Sequence, residues 1–319
     1  MSAEFLDLII SAIRSEAKDT LSFELKSPDG KELPEFAPGA HLELHLPNGL
    51  IRHYSLFNDS IERKRYQVAV SLAPESRGGS SFLHGSLKVG QTLRVRPPRN
   101  NFPLATNAEH YNFIAGGIGI TPMLSMVRWC ERQGKNWHLH YLARTKLRAA
   151  FCEELQAFDR EKVTFHFLDE SNGKQFDVES AVSQMRADSH IYCCGPMPLM
   201  QRVEQAAATR PSEQVHFEWF SARPKDEVEV NDSFKLIIKS TGQEFSIPSD
   251  KTILDVLEEN DYMIPYSCRE GICGSCEATV VCGTPDHRDT VLSEEARAAG
   301  KTILVCVSRS KTPVLELDI

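Results

Sequence analysis

The segment Tyr266-Ser-Cys-Arg-Glu-Gly-Ile-Cys-Gly-Ser-Cys276 predicts the fold of the carboxyl-terminal part of the chain. It carries three cysteines at the spacing C-x4-C-x2-C, and a fourth cysteine follows far downstream. Three thiolates on one loop with a distant fourth are the ligand pattern of a plant-type [2Fe–2S] cluster. Glycines between the ligands let backbone N–H groups approach the cluster sulfurs closely. The predicted ligands are Cys268, Cys273, Cys276 and Cys306.

The same cysteines could instead bind structural zinc or form disulfide bonds. Structural zinc sites usually bring their ligands as two C-x2-4-C pairs, whereas the second half here contributes one cysteine. Disulfides suit small secreted domains, but this chain has 319 residues and we expect no signal peptide. The iron–sulfur interpretation is therefore favoured.

The composition is that of a globular protein with two or three domains, since 319 residues exceed one typical domain. Hydrophobic residues make up 41% and charged residues 25%, and no run of 18 apolar residues predicts a transmembrane helix. The opening Met1-Ser-Ala-Glu carries an acid instead of a basic region, so we expect a cytoplasmic protein. A net charge of −8 argues against nucleic-acid binding.

Cysteines outside the predicted ligand set are expected to be mostly structural. Cys130, Cys152 and Cys282 occupy positions typical of buried helix or strand residues, so they are predicted to be inert small hydrophobes. Cys193 is expected in the core, because neighbouring residues of a strand point to opposite faces and Cys194 is assigned to a ligand site below.

The amino-terminal part predicts a closed antiparallel barrel. Residues 20–25, 42–46 and 66–72 alternate apolar and polar side chains at least in part, which is typical of strands. Turn sequences lie at Pro28-Asp-Gly, Ala37-Pro-Gly and Pro47-Asn-Gly. Regularly spaced short strands favour closure, since a closed sheet leaves no exposed edge.

Two segments of the barrel carry polar groups that a barrel does not require. Arg52-His-Tyr-Ser55 places Arg52 and Tyr54 on one strand face. Arg77-Gly-Gly-Ser-Ser81 combines a cation with glycines and hydroxyls, as in backbone nests that bind phosphate. Each motif alone is common by chance, and Gly-Gly-Ser is more often a flexible turn. Together, ahead of a nucleotide-binding domain, they predict a phosphate-containing ligand.

From residue 111 strands and helices alternate, which predicts a parallel sheet with helices on both faces. The segment Gly116-Gly-Ile-Gly-Ile-Thr-Pro122 follows the first strand, where a helix start can bind the pyrophosphate of a dinucleotide. Thr121 is predicted to cap this helix, with Pro122 in the first position and Gly134 at the end. The segment is not the G-x-G-x-x-G fingerprint, because Pro122 replaces the third glycine.

The other elements of the middle part are predicted from the same periodicities. The strands are 111–115, 139–143, 163–168, 190–193 and 215–220, and the helices are 123–133, 149–158 and 198–209.

Polar and small residues at the ends of these strands are candidates for a ligand site. Cys194-Gly-Pro196 ends the fourth strand, where open α/β sheets bind ligands, although a small residue before a turn is an equally simple explanation. Glu218 lies at the end of the fifth strand and is equally consistent with a surface position. Arg144 ends the second strand with Arg148 nearby, and an Arg at this place accommodates the phosphate of NADP. The residues themselves therefore favour tolerance of NADPH.

The last part of the chain follows a β-grasp order. Residues 223–232 are predicted to be a linker, because they are polar and aperiodic. A hairpin (234–239 and 244–247) is followed by a helix over 252–260 with Ile253, Leu254 and Leu257 facing inward. Strands are predicted at 277–281, 303–307 and 314–317, with a short surface helix at 293–299. Cys306 is thereby placed in the penultimate strand, within reach of the cysteine loop.

The barrel and middle motifs resemble those of the ferredoxin-NADP reductase superfamily, namely R-x-Y-S, G-G-x-G-x-[TS]-P and C-G-P. The resemblance implies that Arg52 meets the flavin phosphate, Tyr54 packs on the isoalloxazine and Ser55 lies near flavin N5. It also implies that Cys194 lies beside the nicotinamide and Glu218 near the flavin–nicotinamide junction.

The second barrel motif, in the form Arg-Gly-Gly-Ser, is similar to the motif found in the branch of this superfamily that uses FMN. One departure is that Ser71-Leu72 replaces the basic residue that often precedes the glycines. The cofactor-binding residues implied are Arg52, Tyr54, Ser55, Arg77, Gly78, Gly79, Ser80, Gly116, Gly117, Gly119, Thr121, Pro122, Arg144, Cys194, Gly195 and Pro196, and the catalytic residues implied are Ser55, Cys194 and Glu218.

The whole chain resembles the phthalate dioxygenase reductase family. The resemblance implies a multidomain α/β and β protein: an antiparallel FMN-binding β-barrel (1–104), a parallel-sheet NAD(P)H-binding α/β domain (105–222), the linker (223–232) and a plant-type β-grasp ferredoxin domain (233–319). FMN would divide the two electrons of a hydride into single electrons for the cluster. Members of the family typically use NADH, so NADH is predicted, with NADPH possible.

The partner that the resemblance implies is a terminal Rieske non-haem iron oxygenase. Plant-type clusters lie near about −400 mV and Rieske centres at roughly −150 to +300 mV, so electrons would run downhill. The exposed rim of the cysteine loop, including Arg269 and Glu270, is the expected docking surface. Alternatives are a reductase for another acceptor, such as a cytochrome P450 or a quinone, and a non-enzymatic redox sensor, which the complete hydride path disfavours.

Overall fold

The computed structural model describes residues 5–171, 173–221 and 232–319, and the chain divides into two compact units, Met1–Glu218 and Trp219–Ile319. The predicted linker, 223–232, lies outside the described residues except for its last position. In the part of the chain that the structure describes, we find no helix of the length and apolarity that a membrane span requires.

The first unit opens with a six-stranded antiparallel sheet in the order β4-β3-β6-β1-β2-β5. Its two edge strands are joined by a bridge between Leu56 and Val68, so the sheet closes into the predicted barrel. The interior is filled by aliphatic side chains such as Leu25, Leu42 and Leu44, which are fully buried. The strands are β1 (Leu6–Ala17), β2 (Thr20–Lys26), β3 (His41–His45), β4 (Ile51–Ser55), β5 (Tyr66–Ser71) and β6 (Thr92–Val95).

Three barrel elements were not predicted, namely β1, β6 and a short helix. The long strand β1 pairs with both β2 and β6 and has register shifts that interrupt its alternation, which hides its period from the sequence. A short helix, α1 (Gly79–Gly85), begins inside the Arg77–Ser81 segment, so this segment is a helix start and not only a turn.

The backbone before β3 makes the closest approach in the barrel. Gly39 has a φ of 89°, and a Cβ there would lie 1.9 Å from the carbonyl oxygen of Phe102. Two backbone segments that are distant in sequence therefore touch at a position that only glycine can occupy.

The rest of the first unit is a five-stranded parallel sheet in the order β11-β10-β7-β8-β9. The chain leaves β7 toward β8 and β9 and then returns to β10 on the other side of β7, which makes a topological switch point between β7 and β10. The strands are β7 (His110–Gly116), β8 (Asn136–Ala143), β9 (Val163–Phe167), β10 (His190–Cys194) and β11 (Val215–Glu218). The helices are α2 (Ile120–Gln133), α3 (Cys152–Gln156), α4 (Val178–Gln184) and α5 (Met197–Ala206).

The start of α2 differs from the prediction. A 3-10 turn over Gly117–Gly119 leads directly into the helix, and Gly119 is its N-cap. Thr121 therefore lies inside the first helical turn, where its hydroxyl donates to the carbonyl of Ile118 at 3.0 Å and does not cap. Pro122 is the third helical residue, because the helix starts at Ile120. Gly134 ends the helix with a φ of 64°, as predicted.

The second unit contains a five-stranded mixed sheet in the order β13-β12-β18-β14-β16, with a separate two-stranded sheet of β15 and β17. Helix α6 (Ile253–Glu259) buries the predicted inward side chains, and Thr252 and Asp255 form a capping box at its start. The strands are β12 (Phe234–Ile238), β13 (Glu244–Ile247), β14 (Glu277–Cys282), β15 (Pro285–Asp286), β16 (Thr302–Leu304), β17 (Arg309–Ser310) and β18 (Val314–Asp318), and the remaining helix is α7 (Glu294–Ala299).

Three cysteines lie in surroundings that differ from the predicted ones. Cys306 lies in the turn after β16 and not in a strand, because the chain bends there after Leu304. Cys282 is exposed, since a register shift between Val280 and Cys282 interrupts the alternation of β14. Cys152 is only partly buried, whereas Cys130 and Cys193 are core residues as predicted.

Gly39→Ala should destabilise the first unit more than a matched glycine substitution. Gly30 has a similar φ of 71°, and a Cβ there would meet no atom within 4 Å. We expect Gly30→Ala to lower the free energy of unfolding by ~1–2 kcal/mol through its left-handed backbone alone. Gly39→Ala should lose roughly 3 kcal/mol or more, because the Phe102 backbone must also move. Urea unfolding of both variants measures the difference, and equal losses would contradict the steric explanation.

Candidate functional site

The four predicted ligand cysteines converge in the second unit. Cys268 contacts Cys273 and Cys306 within hydrogen-bonding distance, and Cys276 contacts Cys306, so the four sulfurs form one connected group. Cys273, Cys276 and Cys306 are buried, and Cys268 is partly buried. In the described part of the chain, no three metal-binding side chains converge on the position of a single ion. Four neighbouring thiols that are not arranged around one ion fit a [2Fe–2S] cluster, which is held by four thiolates.

The electrostatics of the loop favour a thiolate. The thiols of Cys273 and Cys306 lower the pKa of Cys268 by hydrogen bonding, and the backbone N–H of Glu270 donates to its sulfur at 3.2 Å. Gly271 has a φ of 69°, and a Cβ there would lie 2.6 Å from Val307 Cγ2. This glycine is therefore required by both its conformation and its packing.

Arg269 fastens the cysteine loop to α6. Its guanidinium forms an ion pair with Asp255 at 3.0 Å and another with Glu258, and it lies 4.4 Å from the ring centroid of Tyr266. Arg269 also has a φ of 57°, which is unusual for a residue other than glycine. The loop is thus anchored to α6 through Arg269. Arg269 is exposed, and Glu270 is partly buried.

The two polar barrel motifs meet at the start of α1. Arg52 donates from Nη2 to the carbonyl of Arg77 at 2.7 Å, and a Cβ on Gly79 would lie 2.4 Å from Arg52 Nε. Gly78 has a φ of 85° and precedes the helix as its N-cap. The Arg52 cation and the Gly78-Gly79 backbone are therefore brought together, as binding of one phosphate by both motifs requires.

The neighbouring residues of these motifs have defined partners. Tyr54 is the register partner of Leu42, and burial raises the pKa of its hydroxyl. The hydroxyl of Ser80 donates to Ser76 Oγ at 3.0 Å and accepts from the N–H of Ala73 at 3.2 Å. Ser80 thus closes the loop that carries Arg77 and the glycines.

A cavity of about 1350 Å³ lies at the carboxyl edge of the parallel sheet. Gly116 and Gly117 line it from the end of β7, Arg144 from the end of β8 and Pro196 from the end of β10. A Cβ on Gly119 would lie 2.2 Å from the carbonyl oxygen of Cys194, so the loops after β7 and β10 touch here. The glycines therefore let the two loops form a common wall at the switch point, where open α/β sheets bind nucleotides.

Ser55, Cys194 and Glu218 are brought together from three strands. The hydroxyl of Ser55 donates to Glu218 Oε2 at 3.1 Å, and Cys194 is the register partner of Glu218 between β10 and β11. Burial raises the pKa of Glu218 to about 8 against the opposing effect of the Ser55 hydrogen bond. Burial also raises the pKa of Cys194, helped by the nearby carboxylate of Glu218. The thiol is thus kept neutral, and the carboxyl can hold or release a proton near neutral pH.

Several cavity residues were missed by the sequence analysis. His138 and His140 lie two positions apart on β8, and His166 on β9 is 3.2 Å from His140 between ring nitrogens. Burial lowers the pKa of His140 to about 3, so this ring is neutral. Their alternation on β8 was the available signal, but the strand was predicted to begin only at residue 139. The remaining basic lining residues are Lys18, Arg148, Lys174 and Arg202.

Three family models match successive parts of the chain. A model described as "Oxidoreductase FAD-binding domain" matches residues 7–103, and one described as "Oxidoreductase NAD-binding domain" matches residues 113–205. A model described as "2Fe-2S iron-sulfur cluster binding domain" matches residues 236–311, which include all four ligand cysteines. The chain is therefore an oxidoreductase with flavin-, NAD- and [2Fe–2S]-binding domains.

Relatives with assigned names match over nearly the full length. The chain is 44% identical over 318 residues to a tetrachlorobenzoquinone reductase of Sphingobium chlorophenolicum, covering 98% of each chain. It is 41% identical to a vanillate O-demethylase oxidoreductase of Pseudomonas putida, covering 98% of this chain and 100% of that one. It is 41% identical to a phthalate dioxygenase reductase of Burkholderia cepacia, covering 99% and 98%.

Solved structures share the same arrangement of elements. A phthalate dioxygenase reductase described as modular, with electron transfer from pyridine nucleotides to [2Fe–2S], matches with a TM-score of 0.73 and 41% identity, covering 99% of this chain and 98% of that one. An intact self-sufficient cytochrome P450 monooxygenase matches with a TM-score of 0.92 and 36% identity, covering 99% of this chain and 41% of that one. With such identity over almost all of its length, the chain belongs to the phthalate dioxygenase reductase family.

Proposed function

We propose that this protein is the reductase component of a Rieske-type oxygenase or demethylase system. It takes electrons from NADH through FMN to a [2Fe–2S] cluster and passes them to a terminal Rieske non-haem iron oxygenase. The observation that carries the proposal is the meeting of Ser55, Cys194 and Glu218 at the ends of three strands, in a chain that also holds four clustered cysteines. The domains proposed are 1–104 for FMN, 105–222 for NAD(P)H and 233–319 for the cluster, joined by the linker 223–232.

FMN is favoured over FAD by the compact phosphate site of the barrel. Arg52 and the Gly78-Gly79 backbone lie at one place, with Arg77 and Ser80 in the same loop. One phosphate needs one such site, whereas the second phosphate of FAD would need further donors. Tyr54 and Ser55 on the same strand are proposed to contact the flavin ring, with Ser55 toward its N5.

NADH is the proposed electron donor, with NADPH possible. The proposed pyrophosphate contacts are the N–H groups of Gly116, Gly117 and Gly119, while Gly195 and Pro196 shape the opposite wall. Thr121 and Pro122 support this turn from inside the helix. Two cations of the cavity already pair with acids, Arg148 with Asp19 at 2.8 Å and Arg202 with Glu179 at 2.8 Å. This pairing leaves less positive charge to bind the additional phosphate of NADPH. Arg144, however, is exposed at the cavity, so binding of NADPH is possible.

When bound, the flavin and the cluster would supply the redox chemistry, namely hydride transfer and the transfer of single electrons. The protein groups position these cofactors and manage one proton. Cys194 is proposed to pack as a neutral thiol beside the nicotinamide. Ser55 and Glu218 are proposed to hold the proton that must enter or leave near the flavin N5, since the carboxyl of Glu218 can change its protonation state near neutral pH.

The identity of the acceptor separates the proposed function from its alternative. Relatives named for phthalate dioxygenase and vanillate O-demethylase support an oxygenase. A relative named tetrachlorobenzoquinone reductase and a cytochrome P450 structure support the alternative, a reductase for a quinone or a P450. A reducing compartment, which we propose to be the cytoplasm, suits both NADH and thiolate ligands.

Reconstitution with the oxygenase encoded next to this protein should give NADH-dependent product formation. We expect turnover only when reductase and oxygenase are both present, and no comparable acceleration with a quinone or a P450. Product formation is measured directly, because reduction of cytochrome c would not distinguish the acceptors. Rapid quinone reduction together with an inactive oxygenase mixture would favour the alternative.

Cys273→Ser should separate the two halves of the electron path. The variant should lose the visible absorption of the cluster and the reaction with a protein acceptor, because one of four thiolate ligands is missing. NADH-driven ferricyanide reduction through the flavin should remain within about twofold, since the first unit is unchanged. Cys282→Ser, which alters an exposed cysteine outside the ligand set, is the matched control. Loss of both activities in Cys273→Ser would contradict a modular path.

Glu218→Gln should change how stability depends on pH. The carboxyl of Glu218 keeps its proton up to a pKa of about 8, whereas its ordinary value is 4.5, so the folded state binds the proton more strongly. Stability of the wild type should therefore fall as pH rises from about 4.5 to about 8 relative to the variant. Calorimetry between these pH values measures the difference in Tm, with Glu161→Gln as an exposed control. Parallel curves for wild type and Glu218→Gln would contradict the raised pKa.

A further inference from the structure

A row of polar side chains starts at Ser55 and follows one face of the ladder between β3 and β4. It consists of Ser55, His41, His53, Glu43 and His45. The opposite face of the same strands carries Leu42 and Leu44, which fill the barrel. The row is therefore on the outer face of the barrel, and the aliphatic core does not explain its composition.

The first step of the row is set by backbone pairing. His41 is the register partner of Ser55, and its N–H and C=O bond to Arg99 at 2.8 and 3.1 Å. His41 and Ser55 therefore form a non-hydrogen-bonded antiparallel pair, in which the Cα atoms are about 4.5 Å apart and the side chains come closest. The imidazole of His41 thus stands next to the hydroxyl that holds Glu218.

The later steps are short contacts between titratable groups. The rings of His41 and His53 have centroids 5.2 Å apart. His53 Nε2 is 3.9 Å from Glu43 Oε2, and His45 Nε2 is 2.7 Å from Glu43 Oε1. Glu43 and His45 are joined by a direct hydrogen bond, and one reorientation of a ring or one bridging water would connect His53 to Glu43 and His41 to His53.

The end of the row at His45 is its most exposed part. Ser55, His41 and Glu43 are 4%, 6% and 5% exposed, whereas the side chains of His53 and His45 are 16% and 24% exposed. The row thus begins at a buried hydroxyl on the flavin side and ends at an imidazole that solvent reaches.

The charges around the row keep His41 neutral. Burial, the neighbouring His53 and the Arg99 cation lower the pKa of His41 to about 3, against the attraction of Glu43. Arg96 faces Glu43 with its Nε 2.9 Å from Oε1. The His41 Nε2 atom is buried and has no hydrogen-bond partner among the described residues. A neutral imidazole donates from one nitrogen and accepts at the other, which is what relaying a proton requires.

We propose that this row conducts protons between Glu218 and solvent. The inference rests on the proposed function, in which oxidation of each NADH to NAD⁺ supplies two electrons to one-electron acceptors and leaves one proton. Flavin and nicotinamide bound at the proposed site would cover the open side of Glu218 and exclude water from it. Glu218 gives its proton to Ser55, the first group of the row. Each later group accepts a proton from the group before it and donates a proton to the next. His45 releases a proton to solvent.

Hydrogen–deuterium exchange of the Glu218 carboxyl tests the route independently of turnover. The flavin-loaded protein with saturating NAD⁺ is mixed with D₂O below the pKa of about 8, and the infrared C=O band of the protonated carboxyl is followed. The band is assigned by its absence in Glu218→Gln. We expect exchange in His41→Leu to be at least about tenfold slower than in the wild type, as for other removed proton carriers. His41→Ala should be slow too and should recover when imidazole is added, which a structural role would not produce.

The control is His110→Gln, which removes an imidazole at the start of β7 and should exchange as the wild type does. If His41→Leu does not retain flavin, Glu43→Gln interrupts the row at a later step and should slow exchange similarly. Wild-type exchange in the row variants would overturn the proposal, as would equal slowing in His110→Gln. Neither result would affect the reconstitution or Cys273→Ser experiments, so failure of the route and failure of the proposed function are distinguishable.

Discussion

The hydrogen bond between Ser55 and Glu218 joins the end of barrel strand β4 to the end of sheet strand β11. A single bond of this kind contributes only about 1 kcal/mol, so its importance is geometric. It fixes the position of Ser55, which faces the proposed flavin site, relative to strands β10 and β11, which carry Cys194 and Glu218. Burial of the same carboxyl makes its protonation variable near neutral pH, and one contact thereby sets both position and proton affinity.

The elements that local chemistry determines were predicted well from the sequence. Helix α6 was predicted because Thr252 caps it and its apolar residues recur at helical spacing, and the cysteine loop because ligand spacing is local. The alternating strands of the barrel and the glycine segment before α2 were also recognisable. The family resemblance implied positions near the flavin or the nicotinamide for Ser55, Cys194 and Glu218, and the three residues are adjacent in the fold.

The features that were missed depend on contacts distant in sequence. The start of α2 is set by Gly119 packing against the carbonyl of Cys194, and no residue near Gly119 indicates that contact. Helix α4 is short and buries only Val178 and Val182, too few apolar residues for a helical period to be evident. The exposure of Cys282 follows from a register shift with β18, and the position of Cys306 from a bend after β16.

The clamp on Arg269 has a consequence for assembly of the cluster. Two acids of α6 and the ring of Tyr266 hold this residue, and the glycines on either side of Cys273 have fixed left-handed conformations. These contacts restrict the loop independently of the thiolates, so they lower the conformational entropy that cluster binding has to remove. A loop restricted in this way favours capture of the cluster by the complete set of four ligands.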